Sequence, residues 1–227
     1  MSAFAWSGDG SGLIVAKDSG VGFAIVRIDV ATGSEEILAT PPELPNFFYP
    51  SPDASEIAFT GNAVDGWHLY AFAPDESAAV RDLGPMGAGG VVPQAAPDVK
   101  TPMAIEWSPD GSRLAFGGGL EPPYTMTVIE LASGAIARTE FAEGYPGEVR
   151  WSPDGARIAV STYDIERTVH EVYVVDPATG AKRHVLSGCV VIWSPDSRFL
   201  AIHEDLPGIA IIDVATGAYG KLTHNTL

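Results

Sequence analysis

The sequence predicts an all-β protein made of five repeated, four-stranded antiparallel units. The first observation is a Trp-Ser-Pro-Asp-Gly motif whose complete and altered copies begin at residues 6, 50, 107, 151 and 193, which gives spacings of 44, 57, 44 and 42 residues. The second is that the 25 glycines and 18 prolines cluster between short apolar runs. Such punctuation is typical of many short strands joined by turns, and a fixed repeat period indicates a repeat architecture.

The motif itself predicts a tight turn after the innermost strand of each unit. Two copies are complete, at 107–111 and 151–155, and three are altered, at 6–10, 50–54 and 193–197. We expect each aspartate to accept backbone N–H groups in the turn, and each tryptophan to end a strand and pack between units. The residues to which we assign this structural role are Trp6, Asp9, Asp53, Trp107, Asp110, Trp151, Asp154, Trp193 and Asp196.

The rest of each repeat supplies three more strands. An alternating apolar run follows the motif, and a polar loop leads to a second run that ends in a turn of the form Asp-x-Ala-Thr-Gly, for example Asp29–Gly33 and Asp213–Gly217. A final strand closes the unit, so about one repeat length holds the four antiparallel strands of a β-propeller blade. We therefore predict a single domain, 1–227, with blades at about 3–40, 47–83, 103–143, 147–187 and 188–224 and an exposed Gly/Pro/Ala-rich insertion at 84–100.

These motifs resemble those of the TolB-like, WD40-like (PD40) β-propeller repeats. The resemblance rests on Trp107–Gly111, on the following Ser-Arg-Leu-Ala-Phe at 112–116, and on the Asp-x-Ala-Thr-Gly turns, and it extends over nearly the whole chain. Five complete four-stranded units with no strand left over predict one ring in which blade one packs on blade five. Because six blades are usual for TolB-like propellers, the alternative is a fragment of a six-bladed or larger ring. The resemblance also implies binding of partner proteins, as for TolB, or membership of a larger receptor or a prolyl-oligopeptidase-like peptidase.

Composition narrows the class of partner. The net charge of −16 disfavours nucleic acids and anionic membranes, and no apolar run is long enough to cross a bilayer. The single cysteine, Cys189, excludes an intrachain disulfide and a multi-cysteine zinc site. We expect a monomer without a cofactor or bound metal. No signal peptide is recognisable in the sequence. The resemblance implies an extracytoplasmic compartment such as the periplasm, and without the resemblance we expect a cytoplasmic one.

The candidate binding residues lie in the loops between the second and third strands of each unit. These loops differ from blade to blade, whereas the motif turns repeat, and variable loops on a repeated scaffold are where sites are built. Most of their charged residues are acidic, which favours a basic partner. The predicted binding residues are Asp18, Asp65, Trp67, His68, Glu121, Tyr124, Asp164, Glu166, Arg167, His203, Glu204 and Asp205.

Two classes of function remain open from the sequence. The first is a non-catalytic propeller that binds a protein or basic peptide through its variable-loop face. The second is a propeller hydrolase or lyase that uses a metal or a histidine pair. No nucleophile motif, metal-ligand spacing or cofactor fingerprint appears in the chain, so we assign no catalytic residue and expect binding.

Overall fold

The structure is a computed structural model that describes residues 4–20, 22–64, 66–74, 79–86, 104–118, 122–203 and 208–222. These residues form twenty β-strands in five separate four-stranded antiparallel sheets. No helix occurs among them, and so none that could span a membrane. Each sheet is a meander whose strands follow chain order, which is the topology of a propeller blade. The predicted fold class is confirmed.

The chain divides into two compact units, residues 1–102 and 103–227. The first unit contains two blades. Blade one comprises β1 (Phe4–Trp6), β2 (Gly12–Asp18), β3 (Phe23–Asp29) and β4 (Glu35–Ala39). Blade two comprises β5 (Phe48–Pro50), β6 (Ile57–Ala63), β7 (Gly66–Phe72) and β8 (Arg81–Pro85).

The second unit contains three blades. Blade three comprises β9 (Ile105–Trp107), β10 (Arg113–Gly118), β11 (Tyr124–Glu130) and β12 (Ile136–Phe141). Blade four comprises β13 (Tyr145–Trp151), β14 (Ile158–Asp164), β15 (Val169–Val175) and β16 (Lys182–Ser187). Blade five comprises β17 (Cys189–Trp193), β18 (Phe199–His203), β19 (Ile209–Asp213) and β20 (Tyr219–Lys221).

One boundary of the sequence interpretation needs correction. The insertion predicted to begin at residue 84 starts later, because Gly84 and Pro85 belong to β8 and Met86 is buried. A register shift at Leu69 and Tyr70 lets β8 continue past the expected end of blade two, and Gly84 adopts a positive φ there. Residues 87–100 of the insertion lie outside the described residues. Closure of the blades into one ring stays a prediction.

The five motif turns lie at one end of the blades, which we call the turn end. All five share one hydrogen-bond pattern. In blade three the hydroxyl of Ser108 donates to Asp110 at 2.5 Å and accepts the N–H of Arg113 at 2.9 Å, while Asp110 accepts the N–H of Ser112 at 3.1 Å. The equivalent bonds occur at Ser7, Ser51, Ser152 and Ser194. Serine and aspartate recur because each satisfies a backbone donor that would otherwise be unpaired in the turn.

The fifth motif position explains the preference for glycine. Its φ is positive in all five turns, with +70° at Gly10 and Gly111 and +68° at Gly155. Glycine adopts this conformation without steric cost. Blades two and five place Ala54 and Ser197 there, at +56° and +60°, so these two turns carry backbone strain.

Apolar side chains from neighbouring blades form the cores within each unit. In the first unit, Phe59 of blade two is fully buried and stacks on Tyr70 with ring centroids 5.1 Å apart, in a cluster shared with Ile14 and Ile25 of blade one. In the second unit, one cluster joins blades three and four and another joins blades four and five. A single blade has two apolar faces, so stacking of blades is what removes them from water.

The motif tryptophans join blades within the second unit. Trp151 and Trp193 are buried, and each indole N–H donates to a main-chain carbonyl of the preceding blade, Glu106 at 3.2 Å and Arg150 at 3.0 Å. Trp107 is buried too. Trp6 ends β1 and is 59% exposed, and its packing between blades stays a prediction.

Candidate functional site

The end of the blades opposite the motif turns, which we call the loop end, carries the predicted binding residues. Here the second and third strands of each blade are joined by connections of different sequence. Several predicted residues prove to support these connections. Asp18 accepts the N–H of Gly20 at 2.7 Å, and Asp164 accepts the N–H groups of Glu166 and Arg167 at 2.9 and 3.1 Å. Both carboxylates therefore shape their own loops.

Two further predicted residues pack inside the fold. His68 is 8% exposed, and its Nδ1 lies 2.9 Å from Oδ2 of Asp82 on the outer strand β8. Tyr124 begins β11 and packs against the cluster shared by blades three and four. His68 therefore has a packing role in place of the surface contact predicted for it, whereas Tyr124 is partly buried and its contact role stays a prediction.

Four predicted residues contribute at the surface. Arg167 and Glu166 are exposed, and Arg167 forms an ion pair with Glu143. Trp67 is half-buried and lines a cleft in the first unit. His203 is exposed at the end of β18, with Nδ1 3.9 Å from Sγ of Cys189. The remaining four predictions, Asp65, Glu121, Glu204 and Asp205, lie outside the described residues.

The larger cleft belongs to the second unit and has a volume of about 670 Å³. We call it the Tyr163 cleft. Its aromatic wall is one row across three adjacent strands, because Tyr145 pairs with Tyr163 and Tyr163 pairs with His170. The Tyr163 and His170 rings lie 4.6 Å apart, and those of Tyr145 and Tyr163 lie 6.0 Å apart. The other lining residues are Ala104, Gly147, Glu148, Arg150, Ser161 and Cys189.

The Tyr163 cleft lies at the loop end of blade four, whose first three strands each have seven residues. Lower on the same face of blade four, Ala159, Val172 and Val174 pack against blade five. The aromatic row lies beyond that contact. A register shift between Pro146 and Glu148 adds space, since Gly147 carries no side chain there.

The charged groups of the Tyr163 cleft compensate one another. Arg150 Nη2 lies 2.9 Å from Oε1 of Glu148, and the other oxygen of Glu148 accepts the N–H of Val191 at 3.2 Å. Glu106 has the equivalent role in the preceding blade, where it accepts the N–H of Trp151. Burial raises the pKa of Glu106, although that hydrogen bond and Arg150 oppose the shift. These carboxylates therefore tie neighbouring blades together and leave the aromatic rings as the main contact surface.

Metal-ligating side chains do not converge in the parts of the chain that the structure describes. No group of three or more His, Cys, Asp and Glu residues among them could hold a metal ion.

The smaller cleft belongs to the first unit and has a volume of about 350 Å³. We call it the Trp67 cleft. It opens where the connection between blades one and two passes the loop end of both. Its lining residues are Phe23, Glu43, Leu44, Asn46, Asn62 and Trp67.

Most of the cleft residues escape sequence reasoning. The aromatic row depends on which residues of β13, β14 and β15 face each other, and a register shift in β13 moves the alignment by one residue. Glu43 and Asn46 lie in a connection between blades that has no repeated motif. A usable signal existed for Tyr163 and His170, because both flank the variable loop of blade four in the sequence.

Comparisons with known proteins agree with the fold. No protein-family model matches the sequence, and no curated protein matches it. Among solved structures, TolB from Acinetobacter baumannii is 17% identical with a TM-score of 0.54, over 96% of this chain and 52% of that one. Oligogalacturonate lyase in complex with manganese is 15% identical with a TM-score of 0.63, over 99% and 65%.

A third similar structure comes from an enzyme. Dipeptidyl peptidase 4 from Porphyromonas gingivalis is 13% identical with a TM-score of 0.71, over 98% of this chain and 39% of that one. The chain thus spans 52% of the A. baumannii TolB chain and 39% of the peptidase chain. At these identities the similarity establishes β-propeller blades and leaves activity open.

Proposed function

We propose that this protein is a non-catalytic β-propeller that binds a segment of a protein partner or a basic peptide at its loop end, with the Tyr163 cleft as the principal contact. The aromatic row of Tyr145, Tyr163 and His170 carries this proposal. Aromatic side chains supply much of the binding energy of protein interfaces because they bury a large area at little entropic cost. The cleft volume also falls within the range of ligand pockets, roughly 300–1,000 Å³.

The internal pairing of the charged groups supports binding over catalysis. A general acid or base must be able to reach the reacting atom, and in this cleft Glu148 is held by Arg150 and by the N–H of Val191. The similar proteins include both TolB and enzymes, so fold similarity alone favours neither. The net charge of −16 favours a basic partner, since association is then electrostatically assisted.

A random twelve-residue peptide library displayed on phage, selected against the full chain, tests the proposal. We expect selected peptides to bind the wild type and to lose at least tenfold in affinity on Tyr163→Ala. Tyr219→Ala is the matched control, because Tyr219 is a partly exposed tyrosine on the outer strand of blade five, and it should leave affinity unchanged. Raising the salt concentration from 0.01 to 0.1 M should slow association, because the Debye length shortens from about 30 to about 10 Å.

Two results would overturn the proposal. The first is a set of selected peptides that bind the Tyr163→Ala variant as tightly as the wild type. The second is turnover of a substrate by the purified protein that Tyr163→Ala or His203→Ala abolishes, which would assign the cleft to an enzyme.

A further inference from the structure

The Trp67 cleft contains an uncompensated carboxylate. Glu43 is half-buried in its wall and forms no hydrogen bond or ion pair with any residue that the structure describes. The cations described in the first unit are all engaged elsewhere. Lys17 pairs with Glu35, Arg27 with Asp9, and Arg81 with Glu56. The negative charge of Glu43 is therefore available to an external group.

The surroundings of Glu43 suit a cation rather than a neutral ligand. The Trp67 and Phe23 side chains line the same cleft, and a cation near an aromatic face is attracted by the negative potential of the ring. The amides of Asn46 and Asn62 also line it. The amide nitrogen of Asn46 donates to the carbonyl of Leu44, so the amide oxygen of Asn46 can accept a hydrogen bond from a ligand.

The position of Glu43 depends on a glycine. A Cβ atom added at Gly61 would lie 3.1 Å from Cβ of Glu43 and 2.9 Å from the ring of Tyr70. A side chain on this residue of β6 would thus force the Tyr70 ring to move and would displace Glu43 slightly. Because a glycine so placed weakens a strand, its presence indicates that the close approach has a structural use.

We propose that the Trp67 cleft binds a guanidinium group, the side chain of an arginine in the bound partner. A planar guanidinium can stack on an indole while its N–H groups reach a carboxylate, and it loses less hydration than an ammonium group when it does so. This inference rests on the proposed function, because the arginine would be a basic residue of the partner proposed there. It involves the first unit alone and none of the residues of the Tyr163 cleft.

Titration of the full chain with Nα-acetyl-arginine methylamide tests the inference, with the indole N–H signal of Trp67 followed by NMR and assigned through Trp67→Phe. Nα-acetyl-citrulline methylamide has the same shape without the charge. We expect saturable binding of the arginine compound and at least tenfold weaker binding of the citrulline compound. Glu43→Gln should weaken arginine binding at least tenfold. The matched control is Glu36→Gln, which removes one exposed carboxylate from β4 of the same unit and should leave binding unchanged.

Three results would overturn the inference: equal binding of arginine and citrulline, unchanged binding by Glu43→Gln, or equal losses in Glu43→Gln and Glu36→Gln. Urea denaturation of both variants separates lost binding from lost folding. The two proposals fail separately. If the arginine compound binds as expected but no peptide depends on Tyr163, the proposed function fails and this site stands. If peptides depend on Tyr163 and the arginine compound does not bind, this site fails alone.

Discussion

The turn end of the blades uses its carboxylates in one repeated way, whereas the loop end uses them in more than one: Asp18 and Asp164 shape their own loops, and Glu43 faces a cleft. At the turn end, the motif aspartate of every blade is hydrogen-bonded by a serine hydroxyl and a backbone N–H of its own turn. At the loop end, Glu43 lines a cleft without such a bond from any described residue, and the connections differ in every blade. Repeated residues in this chain therefore encode the scaffold, whereas the residues that can contact a ligand lie where the repeat is not kept.

The largest effect should follow from removing a tryptophan that joins two blades. Trp151 is 6% exposed, donates to the carbonyl of Glu106, and lies under the guanidinium of Arg113 at 4.5 Å. We expect Trp151→Ala to lower the free energy of unfolding by about 3–5 kcal/mol. Trp6→Ala removes the equivalent but exposed side chain and should cost less than about 1 kcal/mol. Urea denaturation measures both, and equal losses would contradict the assigned packing of Trp151.

The hydroxyl of Ser108 should matter more than any exposed charge at the loop end. Ser108 is fully buried, and Ser108→Ala leaves the N–H of Arg113 and the carboxylate of Asp110 without this partner. We expect a loss of about 1–3 kcal/mol. Arg167→Gln breaks the exposed ion pair with Glu143 and should change stability by no more than about 0.5 kcal/mol. The comparison of the two ends would be wrong if Arg167→Gln proved the costlier change in urea denaturation.

The bonded aspartates should also make the fold sensitive to acid. The hydrogen bonds from Ser108, and then from Ser112, lower the pKa of Asp110 from 3.8 to about 2. A lowered pKa in the folded state gives stabilisation that is fully present above pH 4 and is lost as the pH falls towards 2. The stability difference between the wild type and Asp110→Asn should therefore be constant from pH 5 to 8 and shrink below pH 4. Chemical denaturation of both proteins across this pH range measures the difference, and a difference that stays constant below pH 4 would contradict the stabilising role of the Asp110 hydrogen bonds.

The smallest expected effect is a gain in the free energy of unfolding. Ala54→Gly removes the strain of a positive φ at the fifth motif position, which outweighs the added flexibility of the unfolded chain, and should stabilise the fold by about 0.5 kcal/mol. Ser197→Gly removes the same strain but also the hydroxyl that accepts the N–H of Asp154 at 3.0 Å. Ser197→Gly should therefore bring no gain in thermal or urea denaturation. Stabilisation by both changes would mean that the Ser197 bond contributes nothing.

Sequence reasoning succeeded where local chemistry decides the structure. The motif turns follow from serine, proline, aspartate and glycine at fixed positions, and the alternating runs after them become β2, β6, β10, β14 and β18. It could not foresee the partner of His68, because the alternation of a strand does not say that Asp82 will stand opposite it on β8. It also missed Glu43 and the aromatic row at Tyr163. Their proximity to other residues comes from the packing of blades and from register shifts, which no short stretch of sequence contains.

The link between blades also bears on how such a chain can evolve. The acceptors of the Trp151 and Trp193 indole groups are main-chain carbonyls, and the residues that carry them are a glutamate and an arginine. A carbonyl is present whatever amino acid occupies the position, so the link constrains the tryptophan and leaves its acceptor residue free to change. A duplicated blade would therefore form the indole bond to its neighbour at once. Position 106 differs from position 150, because the carboxylate of Glu106 also accepts the N–H of Trp151. Conservation of the tryptophans together with drift at position 150 is the signature that this mode of growth would leave among homologues.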